Sequence, residues 1–164
     1  MSLALQLTDP SASPAQRYAA ILAALDGILA GERNLIANLA NASALLYASL
    51  ENLNWAGFYL YDGSGLVVGP FQGKPACVRI AIGQGVCGTA AAKLETIIVE
   101  DVHAFPGHIA CDAASNSEIV VPLVGPTGLL GVLDLDSPST HRFDRHDATG
   151  LQAVAARLIA GSNW

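Results

Sequence analysis

The stretch Glu118-Ile119-Val120-Val121-Pro122-Leu123-Val124, Gly125-Pro126-Thr127-Gly128, Leu129-Leu130-Gly131-Val132-Leu133-Asp134-Leu135-Asp136 decides the fold. Two apolar, branched runs flank a glycine–proline turn, so it reads as a β-hairpin with antiparallel strands. Upstream, aromatic-rich Trp55–Tyr61 reads as a strand, turned at Asp62-Gly63-Ser64-Gly65 into a partner at Leu66–Val68. Further strands fall at about Cys77–Ile82 and at β-branched Thr96–Val99, with a short helix at Thr89–Lys93 between them. Between the last of these and the hairpin lies Asp101–Ser117, a long loop with little periodicity. Such a loop within a compact domain is usually functional.

Helical signals occupy both ends. Ser13-Pro14 reads as an N-cap and first helical residue, followed by Tyr18, Ile21, Leu22, Leu25 and Leu29 at helical spacing. A second helix runs from Glu32 to about Leu50. Asp144 caps a last one to about Ile159, with Asp147 at the capping-box position. Hairpin-joined strands between terminal helices imply an α+β fold, an antiparallel sheet with helices packed on one face. Residues 1–13 read as an N-terminal arm and 14–164 as a single domain.

Composition narrows the function. The chain has 164 residues, 52% apolar and 13% charged, and a formal charge of −6. A core of useful size is affordable without staples. No basic stripe exists to neutralise phosphates, which argues against nucleic acid and against an anionic membrane surface. Mean hydropathy is high, +0.41, yet the longest stretch free of Asp, Glu, Lys and Arg, Asn34–Leu50, carries three asparagines and is short for a span. Met1–Pro10 lacks the basic start of a signal peptide. A cytoplasmic chain is expected, and three cysteines, an odd number, then argue against a structural disulfide framework.

The cysteines are Cys77, Cys87 and Cys111, at separations that match no CxxC motif. Each could be a small buried hydrophobe. Cys87 sits in the tight apolar turn Gly85-Val86-Cys87-Gly88, where packing suffices. Cys111 lies in the polar loop, three residues after His108, where exposure and an imidazolium favour a thiolate. A metal reading through His103, His108 and Cys111 lacks the second well-spaced pair of a tetrahedral site, so no metal is expected. Asp134 and Asp136, two apart on a strand, project to one side, and the hairpin can bring Glu118 near them. Solvated strand ends are the plainer reading. Clustered in a cleft, these acids would raise one another's pKa and receive an ammonium group. Trp55 and Tyr59 share a strand face, as core or as the wall of a pocket.

Taken together, Asn54–Tyr59, Gly73–Cys77, Gly83–Gly88, Asp101–Asp112, Ser117–Val120 and Gly131–Pro138 resemble the free methionine-R-sulfoxide reductase family, over about residues 14–160. The resemblance implies a GAF-like fold, a central antiparallel sheet flanked by N- and C-terminal helices. It implies Cys111 as nucleophile, Cys77 as resolving cysteine and Cys87 as an auxiliary one. Glu118, Asp134 and Asp136 would bind and polarise the substrate, with Trp55 and Tyr59 as its aromatic wall. Free methionine-R-sulfoxide would be the substrate and thioredoxin the external reductant, with no cofactor. The habits of the fold suggest a homodimer through the terminal helices. The rival readings are a small-ligand-binding GAF sensory module without catalysis, and a cysteine redox switch.

Overall fold

The computed structural model describes residues 11–164; residues 1–10, most of the expected arm, lie outside the described part. Helices α1 (Pro14–Leu29) and α2 (Leu35–Ser49) lead into β1 (Trp55–Tyr61), β2 (Leu66–Gly73) and β3 (Arg79–Ile80). Then follow α3 (Gly85–Lys93), β4 (Ile97–Val99), a 3₁₀ turn at Val102–Ala104, β5 (Ser117–Gly125), β6 (Gly128–Ser137) and α4 (Arg145–Gly161). The strands form one antiparallel sheet in the order β3-β2-β1-β6-β5-β4. This is the expected α+β architecture.

Local chemistry sets the helix ends. Ser13 and Gln16 form a reciprocal capping box on α1, and Asp144 and Asp147 do the same on α4. Asn34 caps α2 by accepting from the Ala37 N–H. That cap moves the start of α2 to Leu35, past the expected Glu32.

The two faces of the sheet differ. On one, Ala56, Phe58, Ile119, Val121, Leu133 and Leu135 pack against α1, α2 and α4. The period of two then turns Trp55, Tyr59, Val120 and Val132 to the other face, where α3 and the loops lie. Helices therefore cover both faces rather than one. The short helix expected at Thr89–Lys93 begins four residues earlier, and α3 starts at Gly85. A Cβ at Gly88 would run into the carbonyl oxygen of Ala81, so this glycine lets the helix press against the chain before it. Cys87 accordingly sits on a helix, not in a turn.

The strand expected at Cys77–Ile82 shrinks to Arg79–Ile80, while β2 extends from Leu66 to Gly73. A register shift between Gly57 and Tyr59 kinks the β1–β2 pair. A Cβ on Gly57 would strike Phe71, whose Cα lies 2.7 Å from that position. The missing side chain lets Phe71 come in and stack on Trp55, ring centroids 5.1 Å apart.

Candidate active site

The β1–β6 register sets Trp55 opposite Asp136 and Gly57 opposite Asp134; the β5–β6 register sets Glu118 opposite Asp136. All three acids thus leave the sheet on the face that carries Trp55 and Tyr59. The indole and phenol rings stack at 5.8 Å, and the indole N–H donates to the Lys74 carbonyl at 3.2 Å. These side chains line one pocket, with Cys87 and Val86 of α3 on a further wall. Every residue expected at the site, Cys77 excepted, lines it, and Cys77 is bonded to Cys111 at its edge.

The disulfide joins Cys77, on the loop after β2, to Cys111, on the loop before β5, with Cα atoms 5.4 Å apart. This is the pairing the resemblance implies. Cys87 is the free thiol, 3% exposed. Both sulfur-bearing loops are tied down near the bond. The Asp112 carboxylate accepts from Asn54 Nδ2 at 3.2 Å and from the Ala114 N–H at 2.9 Å, and lies 3.9 Å from Lys74 Nζ. Asn54 also donates to Ser115 Oγ at 3.0 Å. Asp112 therefore connects the Cys111 loop both to the start of β1 and to the Cys77 loop.

Among the described residues no lysine or arginine lines the pocket, so Glu118, Asp134 and Asp136 share it without a lysine or arginine cation. Burial, then the charges of Asp134 and Asp136, push Glu118 well above the usual carboxylate range. Burial raises Asp134 to about 7, against the opposing hydrogen bonds from Cys87 and Glu118. Asp136 is raised by burial and by Asp134, offset by a hydrogen bond from Ser115. Oδ1 of Asp134 is buried and has no hydrogen-bond partner among the described residues. An orphaned buried acceptor is costly, and a cationic donor in the pocket would satisfy it.

Tyr59 is held protonated by burial first and by Asp134 next. His108 Nε2 lies 3.8 Å from Glu118 Oε2. Burial and His103 push that imidazole down, while Glu118 is pushed toward its acid form. Both shifts favour the uncharged forms and so weaken the ionic character of this contact.

Among the described residues, the ring of His103 and the sulfur of Cys111, weighed above as metal donors, have other partners. His103 bonds Asn116 and Cys111 is in the disulfide. The donors that do come within 4.8 Å of one another are those of Cys87, Glu118 and Asp134. Asn54, Asp112 and Ser115 escaped the reading of the residues one by one; short polar side chains in a loop carry no signal of the strand they will tether.

Fold and site together define a GAF domain, and residues 15–160 match that family. A curated free methionine-R-sulfoxide reductase of Escherichia coli (strain K12) is 55% identical over 141 residues, 86% of each chain. The solved free methionine-R-sulfoxide reductase of Neisseria meningitidis, in complex with its substrate, superposes with a TM-score of 0.89 at 43% identity, covering 94% of this chain and 93% of that one. The reduced form of the Staphylococcus aureus fRMsr superposes with a TM-score of 0.85 at 48% identity, over 88% and 94%. Within the GAF domains, the chain belongs to the free methionine-R-sulfoxide reductase family.

Proposed function

We propose that the protein reduces free L-methionine-(R)-sulfoxide to methionine with electrons from its own cysteines. One observation carries this reading: a half-buried disulfide, Cys77–Cys111, lies at the edge of a pocket that presents the buried carboxyls of Glu118, Asp134 and Asp136 and an aromatic wall.

In the reduced protein the Cys111 thiolate attacks the sulfoxide sulfur. A sulfoxide is electrophilic only when its oxygen is protonated or polarised, and the pocket holds carboxyls whose raised pKa keeps an acid available at neutral pH. The oxygen passes to Cys111 as sulfenic acid and methionine leaves. The Cys77 thiol then displaces water from that sulfenic acid and forms the disulfide. A dithiol protein such as thioredoxin restores both thiols by exchange. The sulfoxide gains two electrons, two thiols lose them, and the oxygen departs as water.

The acids also support selectivity for the free amino acid. An α-ammonium would satisfy Asp134 Oδ1 and neutralise the cluster; a peptide-bound residue has no ammonium to offer. Leaving such groups unpaired costs several kcal/mol. Cytoplasmic residence fits a reaction that draws on a reducing dithiol pool. The sensory reading finds no favouring observation, because ligand capture alone needs no paired cysteines at the pocket mouth.

The test couples the purified protein to thioredoxin, thioredoxin reductase and NADPH. The R epimer of free methionine sulfoxide should drive NADPH consumption and the S epimer should not. Silence with the R epimer, under a chemical dithiol as well, defeats the proposal.

A further inference from the structure

Cys87 is the thiol that the disulfide leaves out, and its surroundings suit a different task from its two fellows. It lies in the first turn of α3, which Gly88 allows to press against the Ala81–Gly83 segment before it. Its Sγ donates to Glu118 Oε1 across 3.8 Å, and that sulfur and a carboxylate oxygen from each of Glu118 and Asp134 lie within 4.8 Å of one another. The thiol of Cys87 is thus set beside both acids.

We propose that Cys87 is a positioning residue, whose thiol proton holds Glu118 and Asp134 in the geometry that receives the substrate, and that it carries no electrons in the cycle. The second half rests on the reductase reading above; the first half does not.

An electron-carrying role requires a thiolate within reach of Cys111. Cys87 is more than nine-tenths buried, and Cys111 is already paired with Cys77. Burial and the nearby acids push its thiol well above the ordinary range, so it stays protonated. A protonated thiol is a poor nucleophile and a serviceable weak donor. Simple packing does not account for the position either. An apolar side chain there would leave Glu118 without that donor, beside an Asp134 whose Oδ1 already lacks a partner among the described residues.

Donation to a carboxylate favours its charged form. The groups that face the pair are Cys87 from α3, Tyr59 from β1, Asp136 from β6, and His108 and Ser115 from the loop before β5. Removing the thiol leaves the others in place and should raise the titration of the pair.

The test has three readings. With Cys77 and Cys111 locked in their disulfide, Cys87 carries the sole S–H of a three-cysteine chain. Its infrared stretching band in the wild type should lie at the lowered frequency of a bonded thiol; a free-thiol frequency overturns the donor role. In ligand-free protein with ¹³C-labelled carboxyls, Cys87→Ala should move the Glu118 and Asp134 titrations up by about one pH unit. Cys87→Ser, which keeps a donor, should bring them back; titrations unmoved in Cys87→Ala overturn the proposal. Finally, reduced wild type given excess free methionine-R-sulfoxide should fall from three thiols to one, with peptide mapping finding that one at position 87. A disulfide containing Cys87 overturns the electron-free role. A wild type that performs no reduction defeats the reductase reading and the electron statement with it, while the infrared and titration readings still judge the donor.

Discussion

Glu118 on β5 stands directly opposite Asp136 on β6, and both leave the sheet on the pocket side, next to Asp134. Two acids facing each other across a buried ladder would repel if both were ionised. The arrangement is tolerable because burial keeps protons on the cluster, and it becomes useful when a cation enters.

The first prediction concerns those acids. Asp136→Asn and Asp134→Asn should each lower kcat/KM for free methionine-R-sulfoxide by about 100-fold, since a desolvated charge partner is typically worth several kcal/mol. Circular dichroism should show an intact fold. Full turnover in both variants would remove the carboxylates from the mechanism.

The two bonded cysteines should separate cleanly in rapid-quench experiments. Cys111→Ser should yield no methionine. Cys77→Ser should make about one equivalent per chain and then stop under thioredoxin, leaving a sulfenic acid on Cys111 that a dimedone probe captures. Repeated thioredoxin-linked turnover by Cys77→Ser would mean that Cys87 resolves the intermediate.

Stability should depend on pH in a stated direction. Glu118, Asp134 and Asp136 all titrate higher in the folded chain than in the unfolded one. The native state then binds more protons, so the contribution is complete below the unfolded carboxylate range and is lost as pH rises through the folded values. For Asp134 that window runs from about 4 to about 7. The Tm of ligand-free, disulfide-bonded protein should fall across it, by up to about 1.4 kcal/mol of stability per pH unit for each such group. Asp134→Asn should flatten the slope. A Tm that rises over the same range would contradict the raised carboxylates.

Asp112 should matter to resolution rather than to attack. Its contacts with Asn54 and Lys74 hold the Cys111 and Cys77 loops in one frame. In Asp112→Ala the burst of methionine should keep its size, while the dimedone-reactive sulfenic acid persists about tenfold longer, the order expected when a reacting pair loses alignment. A disulfide that closes at the wild-type rate would discard this role.

Much of this could be read in the chain itself. The apolar runs within Glu118–Val124 and Leu129–Asp136, separated by Gly125-Pro126-Thr127-Gly128, specified a hairpin because branched runs and a tight turn are local properties. Ser13 and Asp144 marked helix starts through the hydrogen bonds a short polar side chain makes to nearby N–H groups, whereas the Asn34 cap of α2 lay inside the reading that began at Glu32. The α3 helix was harder to see. Gly85 and Gly88 weaken its local propensity, and what holds it is the packing of Val86, Ala90 and Ala91 on the sheet.

The sequence by itself determined which residue types were available: three acids at the ends of apolar strands, three cysteines, two aromatics on one strand face. Only the tertiary structure decided that Glu118 faces Asp136, that Cys77 meets Cys111 across 34 residues of chain, and that Cys87 turns to the acids instead. Strand register and loop closure are long-range properties, chosen by which faces bury together. No residue near Cys87 could announce that a helix without a clear period would set its thiol against a carboxylate 31 residues further on.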